Sequence, residues 1–140
     1  MLCLELLLLN IAEEYVASAR DVLQRQHKEG LLRAARYIER HLGDQLKLSS
    51  IAKVAGMSAA HFNRIFKAHH NVPVHRFVLQ RRLERVRQLL RDTDRPIAAL
   101  ALDTGFSSQS HLTSTFGRHY AMTPAQYRID ARRAQNGRPE

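Results

Sequence analysis

Two stretches of the sequence are the most informative about the fold, Ile51-Ala-Lys-Val-Ala-Gly56-Met-Ser58 and Leu100-Ala-Leu-Asp-Thr-Gly105-Phe-Ser107. In each, a short apolar pattern at helical spacing runs into a glycine, which supplies a tight turn, and then into a serine, which favours the start of another helix. A helix, a glycine turn and a second helix make a helix-turn-helix unit. The sequence therefore predicts two such units.

The two stretches belong to a longer internal repeat. They align at a spacing of about 49 residues, which is typical of a duplicated structural unit. With one residue inserted in the second copy, His61-Phe62 and Phe66 match His111-Leu112 and Phe116. Pro73 and Phe77 are echoed by Pro124 and Tyr127. Each proline suits the first turn of a following helix, where its missing N–H costs nothing.

Helical patterns fill the rest of the chain and strand patterns are nearly absent, so we expect an all-α fold. A first helix is predicted for residues 2–28, and Gly30 is expected to end or bend it. A second helix is predicted for residues 31–41. Its core-facing residues are predicted to be Leu32, Ala35, Ile38 and Leu42.

Helix caps and a connecting helix complete the predicted layout. Ser49 or Ser50 is expected to cap the first helix of unit one, and Ser58 and Ser108 the second helix of each unit. A long connecting helix is predicted at about 73–91. At 1.5 Å per residue, the 18 residues from Pro73 to Leu90 span roughly 27 Å, close to the ~34 Å between successive turns of a DNA major groove.

These elements divide the chain into three parts. Residues 1–30 are interpreted as a linker or dimerisation helix, the remnant of a sensor domain. Residues 31–130 form the double helix-turn-helix domain, with units at about 31–72 and 92–130. Residues 131–140 are predicted to be a disordered tail.

The charge of the chain is strongly positive and unevenly distributed. Lys and Arg number 22 against 13 Asp and Glu, a net charge of +9. The first thirty residues hold five acidic and three basic residues, a net charge of −2, which leaves +11 for residues 31–140. A basic surface favours a polyanionic partner, because neutralised phosphates release counterions. Nucleic acid is the first candidate, and an anionic membrane the second.

The N-terminal segment is apolar, but it does not resemble a signal peptide. Glu5 interrupts it, Glu13 and Glu14 follow it, no basic residue precedes it, and a membrane span needs about 20 apolar residues. Cys3, the single cysteine, cannot form an intrachain disulfide or a thiolate metal site, and it is expected to pack among the neighbouring leucines. We expect a soluble protein of the reducing cytoplasm.

With these motifs the chain resembles the AraC/XylS family of bacterial transcription regulators. The likeness covers about Leu31 to Arg128. It rests on the run Ile51–Lys67, on Arg82-Leu-Glu-Arg-Val-Arg-x-Leu-Leu90, and on Gly105-Phe106 followed by Thr123-Pro124-x-x-Tyr127-Arg128. A single helix-turn-helix pattern is weak evidence, whereas two at this spacing are specific.

The resemblance implies a function, and the sequence departs from the family pattern at two positions. It implies sequence-specific recognition of promoter DNA in two adjacent major grooves, activation through RNA polymerase, and a separate sensing and dimerising domain before this module. Gly117 stands where family members often have Lys or Arg, and Ser114 where a larger residue is frequent. We therefore expect the second unit to bind its half of the DNA site more weakly than the first.

Candidate DNA contacts follow from the outward positions of the second helix of each unit, because its N-terminal part reaches base edges. With Phe62, Ile65 and Phe66 inward in the first unit, the outward candidates are Ala59, Ala60, Asn63, Arg64 and Lys67. Arg64 can pair with guanine and Asn63 with adenine, while Ala60 can only pack on sugars or thymine methyls. Phosphate binding or solvation is the alternative for Arg64.

In the second unit the predicted inward residues are Leu112, Thr115 and Phe116. The outward set is then Ser108, Gln109, Ser110, Thr113 and Ser114. Gln109 is the best base reader among them, with Ser110 and Ser114 as further candidates, whereas Ser108 is interpreted as a helix cap. The phosphate-binding candidates are Ser50, Lys67 and Arg118.

The histidines are not interpreted as metal ligands, since no acidic or thiol partner stands at ligand spacing. His61 and His111 occupy equivalent places, which indicates a shared structural or DNA-facing role. His69, His70 and His75 are expected to add pH-dependent positive charge. No cofactor is expected.

Other classes of function remain to be weighed against specific DNA binding. No enzyme is expected, because the sequence has no glycine-rich phosphate loop, nucleophile elbow or acidic pair for two-metal chemistry. A non-specific architectural DNA- or RNA-binding protein would use the same charge. A protein-interaction module is the third possibility, with the leucines of residues 2–9 pairing with another chain. A homodimer is also possible, through residues 1–28 or through a missing sensor domain.

Overall fold

The computed structural model describes residues 2–137, and in this range it contains helices and no strand. The helices are α1 (Leu2–Arg40), α2 (Leu48–Ala55), α3 (Ala59–His70), α4 (Val74–Asp92), α5 (Ile97–Asp103), α6 (Gln109–Tyr120) and α7 (Pro124–Asn136). The all-α prediction is confirmed. The predicted tail is wrong for residues 131–136, which continue α7, whereas residues 138–140 lie outside the described part of the chain.

The helices pack around two separate hydrophobic cores. The first core lies between the C-terminal third of α1, α2, α3 and the start of α4, and Phe62 and Phe66 are fully buried in it. The second lies between the rest of α4, α5, α6 and α7 around Leu112 and Phe116. Helix α4 supplies side chains to both cores, so it is the rigid element that joins the two helix-turn-helix units.

Helix α1 passes through Gly30 without a break, so the predicted helix end there is wrong. A Cβ on Gly30 would lie 2.7 Å from the backbone oxygen of Ala55. The glycine therefore lets α2 approach α1 closely, and this packing offsets the roughly 1 kcal/mol that glycine costs in a helix.

The core-facing side of α1 also differs from the prediction. Leu31 and Ala34 are buried together with Ile38 and Leu42, whereas Leu32 is 50% exposed and Ala35 is only half-buried. The predicted and the observed core-facing residues both fit a helical period. The approach of α2 at Gly30 turns Leu31 and Ala34 toward the core in place of Leu32 and Ala35.

The turns of the two units have the same construction. Gly56 and Gly105 adopt φ of +74° and +84°, and Ser58 and Ser108 then accept hydrogen bonds from the backbone N–H of His61 and His111 at 3.3 and 3.1 Å. Both predicted caps are confirmed, and they satisfy N–H groups that the first helical turn leaves free.

The start of α2 is different from the prediction. Its N-cap is Lys47, and no side chain caps it. Ser49 and Ser50 lie inside the first turn of the helix, where neither can act as the cap.

Arg82 holds the two units together. From α4, it donates hydrogen bonds to the backbone oxygens of Leu42 at 2.9 Å and Asp44 at 2.8 Å, beyond the end of α1, and of Gly105 at 3.0 Å, in the turn of the second unit. Burial lowers the pKa of this guanidinium from its usual value. Three charge-assisted bonds thus fix the position of one unit against the other.

The first two-thirds of α1 extend away from both cores. Large apolar side chains are exposed along it, namely Leu2, Leu4, Leu6, Leu7, Leu8, Leu9, Ile11, Tyr15, Val16, Val22 and Leu23. Cys3 is exposed among them, so its predicted packing role is wrong within the described chain. None of the helices described here is both long and apolar enough to cross a membrane.

Candidate nucleic-acid interface

Helix α3 presents most of its predicted contact residues to solvent. Ala60, Asn63, Arg64 and Lys67 are exposed, on the side away from the buried Phe62 and Phe66. The prediction that Ala59 points outward is wrong, because Ala59 packs against the first core. The exposed side chains form a polar and basic face that begins at the N-terminus of the helix.

Helix α6 presents a smaller and less basic face. Gln109, Ser110, Ser114 and Arg118 are exposed, and Thr113 is half-buried. The side chain of Arg118 donates to the Thr115 hydroxyl at 3.5 Å. A Cβ at Gly117 would have open space, since the nearest backbone atom, the oxygen of Met122, is 4.0 Å away. The chemical difference between the two second helices is thus present on the folded surface.

His61 and His111 share a backbone role but differ in their side-chain contacts. The Nε2 of His61 lies 3.3 Å from the Nε2 of His27 on α1, and its Nδ1 lies 3.0 Å from the Arg64 guanidinium. His111 instead contacts the Ser107 hydroxyl at 3.0 Å and packs edge-on against Phe106. Sequence equivalence predicted a common role and did not reveal the link between His61 and α1.

The arginines of α4 do not form one uniform basic surface. Arg81 pairs with Glu39 and Glu84, Arg82 joins the units, Arg87 lies over the rings of Tyr120 and Tyr127, and Arg91 pairs with Asp92. Arg81, Arg82 and Arg87 link α4 to other segments, whereas the Arg91 pair lies within α4. Their helical pattern alone could not show this, because Glu39, Leu42 and Tyr127 are remote from α4 in sequence.

Two further candidates, Ser50 and His70, have specific surroundings. Ser50, a predicted phosphate contact, is half-buried in the first turn of α2. His70 stacks on Phe66 with ring centroids 4.2 Å apart, and burial, with a smaller effect of His69, lowers its pKa. The lowered pKa reduces the positive charge that His70 carries near neutral pH. Over residues 2–137 no three His, Cys, Asp or Glu side chains are grouped closely enough to hold a metal ion.

Comparison with known proteins identifies the domain. Residues 51–129 match the family model described as "Helix-turn-helix domain". The probable transcriptional regulator LumQ of Photobacterium leiognathi is 33% identical over 93 residues, which are 66% of this chain and 38% of that protein. The chain spans roughly a third to two-fifths of the length of the first curated relatives that it matches.

Solved structures agree with this match. A transcriptional regulator of Chromobacterium violaceum with an AraC-type DNA-binding domain superposes with a TM-score of 0.70 at 32% identity, over 81% of this chain and 96% of that one. The DNA-binding domain of AdpA, solved with a target DNA, gives a TM-score of 0.70 at 27% identity, over 78% of this chain and 97% of that one. The family is one of DNA-binding regulators and not of enzymes. The chain belongs to the AraC family of helix-turn-helix transcription regulators.

Proposed function

We propose that this chain binds promoter DNA sequence-specifically, with α3 and α6 in two adjacent major grooves on one side of the duplex. The observation that carries the proposal is the exposed polar face at the start of both helices, with Arg64 in α3 and Gln109 in α6. The 19 residues of α4 span about 28 Å, which is comparable with the ~34 Å of one groove repeat.

The two units are proposed to contribute unequally. Helix α3 offers Asn63 and Arg64 for base edges and Lys67 for a phosphate, whereas α6 offers Gln109 among small serines and Arg118 for a phosphate. Arginine and glutamine can each bind a base through two hydrogen bonds, while a serine offers a single hydroxyl. The first unit therefore supplies more of the affinity.

Arg64→Ala and Gln109→Ala are expected to lower the ratio of cognate to random-duplex affinity, each by about 1 to 3 kcal/mol. The cognate duplex is selected from a random pool with the unaltered chain, and dissociation constants are measured at one fixed salt concentration. Lys67→Ala serves as the control, because losing a phosphate contact weakens binding to every sequence alike.

The same measurement distinguishes the rival function. If Arg64→Ala and Gln109→Ala weaken binding to all duplexes equally, these side chains do not read bases. That result favours a non-specific architectural DNA- or RNA-binding protein. The selected pool gives independent information, since two half-sites about one helical turn apart are expected.

The regulatory role is proposed from the family to which the chain belongs. Bound at a promoter, the chain is proposed to activate transcription by contacting RNA polymerase, in the bacterial cytoplasm where the chromosome lies. Transcription in vitro from a promoter carrying the selected site checks this. A decrease in transcript on adding the protein would indicate a repressor.

A second proposal concerns the exposed part of α1, which we infer pairs with a second copy of the chain. Leu9, Val16 and Leu23 recur every seven residues, the spacing of a coiled-coil seam. Ala12 and Ala19 lie between them on the same side. In an antiparallel pair Val16 faces Ala19 and Leu23 faces Ala12 of the other copy.

Charge favours the antiparallel arrangement over a parallel one. Glu13 and Arg20 flank the seam, and together with Leu9, Ala12 and Val16 they line one shallow groove on α1. Antiparallel pairing places Glu13 beside the partner's Arg20, twice about the two-fold axis. Parallel pairing would instead place Glu5 opposite the same residue of the other copy, and facing like charges are destabilising.

Reversing either charge is expected to weaken self-association roughly ten-fold, since two favourable pairs become repulsive. Glu13→Arg and Arg20→Glu are made separately, and their masses are measured by sedimentation equilibrium. An equimolar mixture is expected to associate as well as the unaltered chain, because opposite charges meet again. A monomeric unaltered chain, or a mixture that stays monomeric, contradicts the pairing.

A further inference from the structure

A continuous chain of polar contacts runs from α1 to the DNA-facing side of α3. His27 lies on α1, less than one turn before Gly30, and its imidazole meets that of His61 edge-on, with ring centroids 5.1 Å apart. The two Nε2 atoms are 3.3 Å apart, and the Nδ1 of His61 is 3.0 Å from Nη2 of Arg64. The side chain proposed to read a base is thus connected to the part of α1 that precedes the helix-turn-helix unit.

The donors and acceptors of the His27–His61–Arg64 contacts have one consistent assignment. A guanidinium can only donate, so Arg64 donates to Nδ1 of His61. The proton of a neutral His61 then lies on Nε2, which donates to Nε2 of His27. His27 accepts there and carries its own proton on Nδ1. Each contact has one donor and one acceptor, so the position of α1 is linked to the direction of the Arg64 side chain.

Neighbouring contacts hold α1 and α2 together beside the His27–His61–Arg64 contacts. Arg33, two turns further along α1, donates to the backbone oxygens of Val54 and Ala55, both at 3.2 Å. This ties α1 to the end of α2, just before α3 begins. Glu29 and Arg33 are the charged residues that border the cleft containing the two imidazoles, and α2 contributes only Ala55 and the Gly56-Met57 turn.

The side-chain contacts of His61 are not needed to build the helix. Its backbone N–H already bonds to the Ser58 hydroxyl. The equivalent His111 has the same backbone bond, but its imidazole contacts Ser107. The repeat therefore provides an internal comparison. Both second helices have the same serine cap, but only α3 of the first unit is linked to α1 through its histidine.

We propose that His27 and His61 are positioning residues for Arg64, through which α1 sets the base preference of the first unit. The proposal rests on the proposed function of Arg64 as a base reader. A bend of α1 on the N-terminal side of Gly30, such as pairing or a preceding domain can impose, withdraws the acceptor for His61 and frees Arg64 to point elsewhere. Specificity would then respond to α1 without any change at the DNA-contacting residues themselves.

His27→Ala tests the proposal. The ratio of cognate to random-duplex affinity is expected to fall about three- to ten-fold, the effect of one hydrogen bond, while random-duplex affinity stays unchanged. His27→Gln keeps an acceptor at a similar reach and is expected to restore the ratio. His111→Ala is the matched control and leaves the base preference of the first unit unaltered.

A double-mutant cycle separates this proposal from the proposed function. If Arg64→Ala lowers the affinity ratio, adding His27→Ala must lower it no further, since both act through one side chain. Additive losses, or a His27→Ala variant with an unchanged ratio, overturn the positioning role and leave base reading intact. If Arg64→Ala itself leaves the ratio unchanged, base reading by Arg64 fails, and the positioning role fails with it.

The imidazole nitrogens give a reading that does not depend on DNA. In the free full chain, ¹⁵N chemical shifts are expected to show His61 with its proton on Nε2, and His27→Ala is expected to shift the His61 signals. A His61 proton on Nδ1 would overturn the contact chain whatever the affinities show. Far-UV circular dichroism confirms that each variant keeps the helical content of the unaltered protein.

Discussion

Gly105→Ala is expected to lower the free energy of unfolding by about 3 kcal/mol. Its φ of +84° costs an L-residue about 1–2 kcal/mol, and the added Cβ would lie 2.5 Å from the backbone oxygen of Leu42. Both that carbonyl and Gly105 are held by Arg82, so neither moves freely. Relieving the overlap by shifting packed backbone costs a further 1–3 kcal/mol or so. Urea unfolding followed by circular dichroism measures the change.

Two other glycines provide controls for Gly105. Gly56 has a similar φ of +74°, but its Cβ would meet only the Arg33 guanidinium at 3.7 Å, so Gly56→Ala is expected to cost about 1–2 kcal/mol. Gly117 lies inside α6 with open space at its Cβ, and Gly117→Ala is expected to stabilise by about 0.5–1 kcal/mol. If Gly105→Ala costs no more than Gly56→Ala, the close approach to Leu42 is not rigid.

Arg82→Ala is expected to destabilise the protein by about 3 kcal/mol and to loosen the arrangement of the two units. It removes three hydrogen bonds from a charged donor and leaves partly buried carbonyl oxygens without that partner. Helix α4 itself remains, so both units fold, but the turn after α1 is no longer held to Gly105. The selected DNA should then tolerate half-sites one base pair closer or farther apart, with a smaller loss of affinity than for the unaltered chain.

Substitutions on the same helix distinguish this role from a loss of positive charge. Arg85 is exposed and contacts Gln88 at 3.3 Å, so Arg85→Ala removes the same charge and should change neither stability nor spacing preference by much. Arg82→Lys keeps the charge without the planar fork and is expected to behave like Arg82→Ala. Equal effects of Arg82→Ala and Arg85→Ala on spacing would assign the effect to charge alone.

Local chemistry made much of the fold predictable. Gly56 and Gly105 mark turns that require a positive φ, and Ser58 and Ser108 mark caps, since each depends on backbone groups within a few residues. The inward positions of Phe62 and Phe116 follow from helical period. The same period, by elimination, gave the outward residues of α3 and α6, although Ala59 was placed on the wrong side.

Residues whose role depends on distant segments were misread or missed. Gly30 has the usual signature of a helix end, yet α1 continues because α2 packs against it. Arg82 reads as one more basic residue of a long helix, and only the approach of the Leu42 and Gly105 carbonyls makes it the link between units. His27 gives no local signal at all, because its contact with His61 joins residues 34 positions apart.

Three properties can be read from the sequence alone: the chain is helical, a helix-turn-helix unit occurs twice, and residues 31–140 are basic. These properties come from backbone conformation, period and composition, which are local. Three others depend on tertiary packing: which arginines stay on the surface and which hold helices together, where α1 ends, and how α1 reaches Arg64. Such contacts form only when segments remote in sequence pack together, and a sequence pattern describes only residues that are close along the chain.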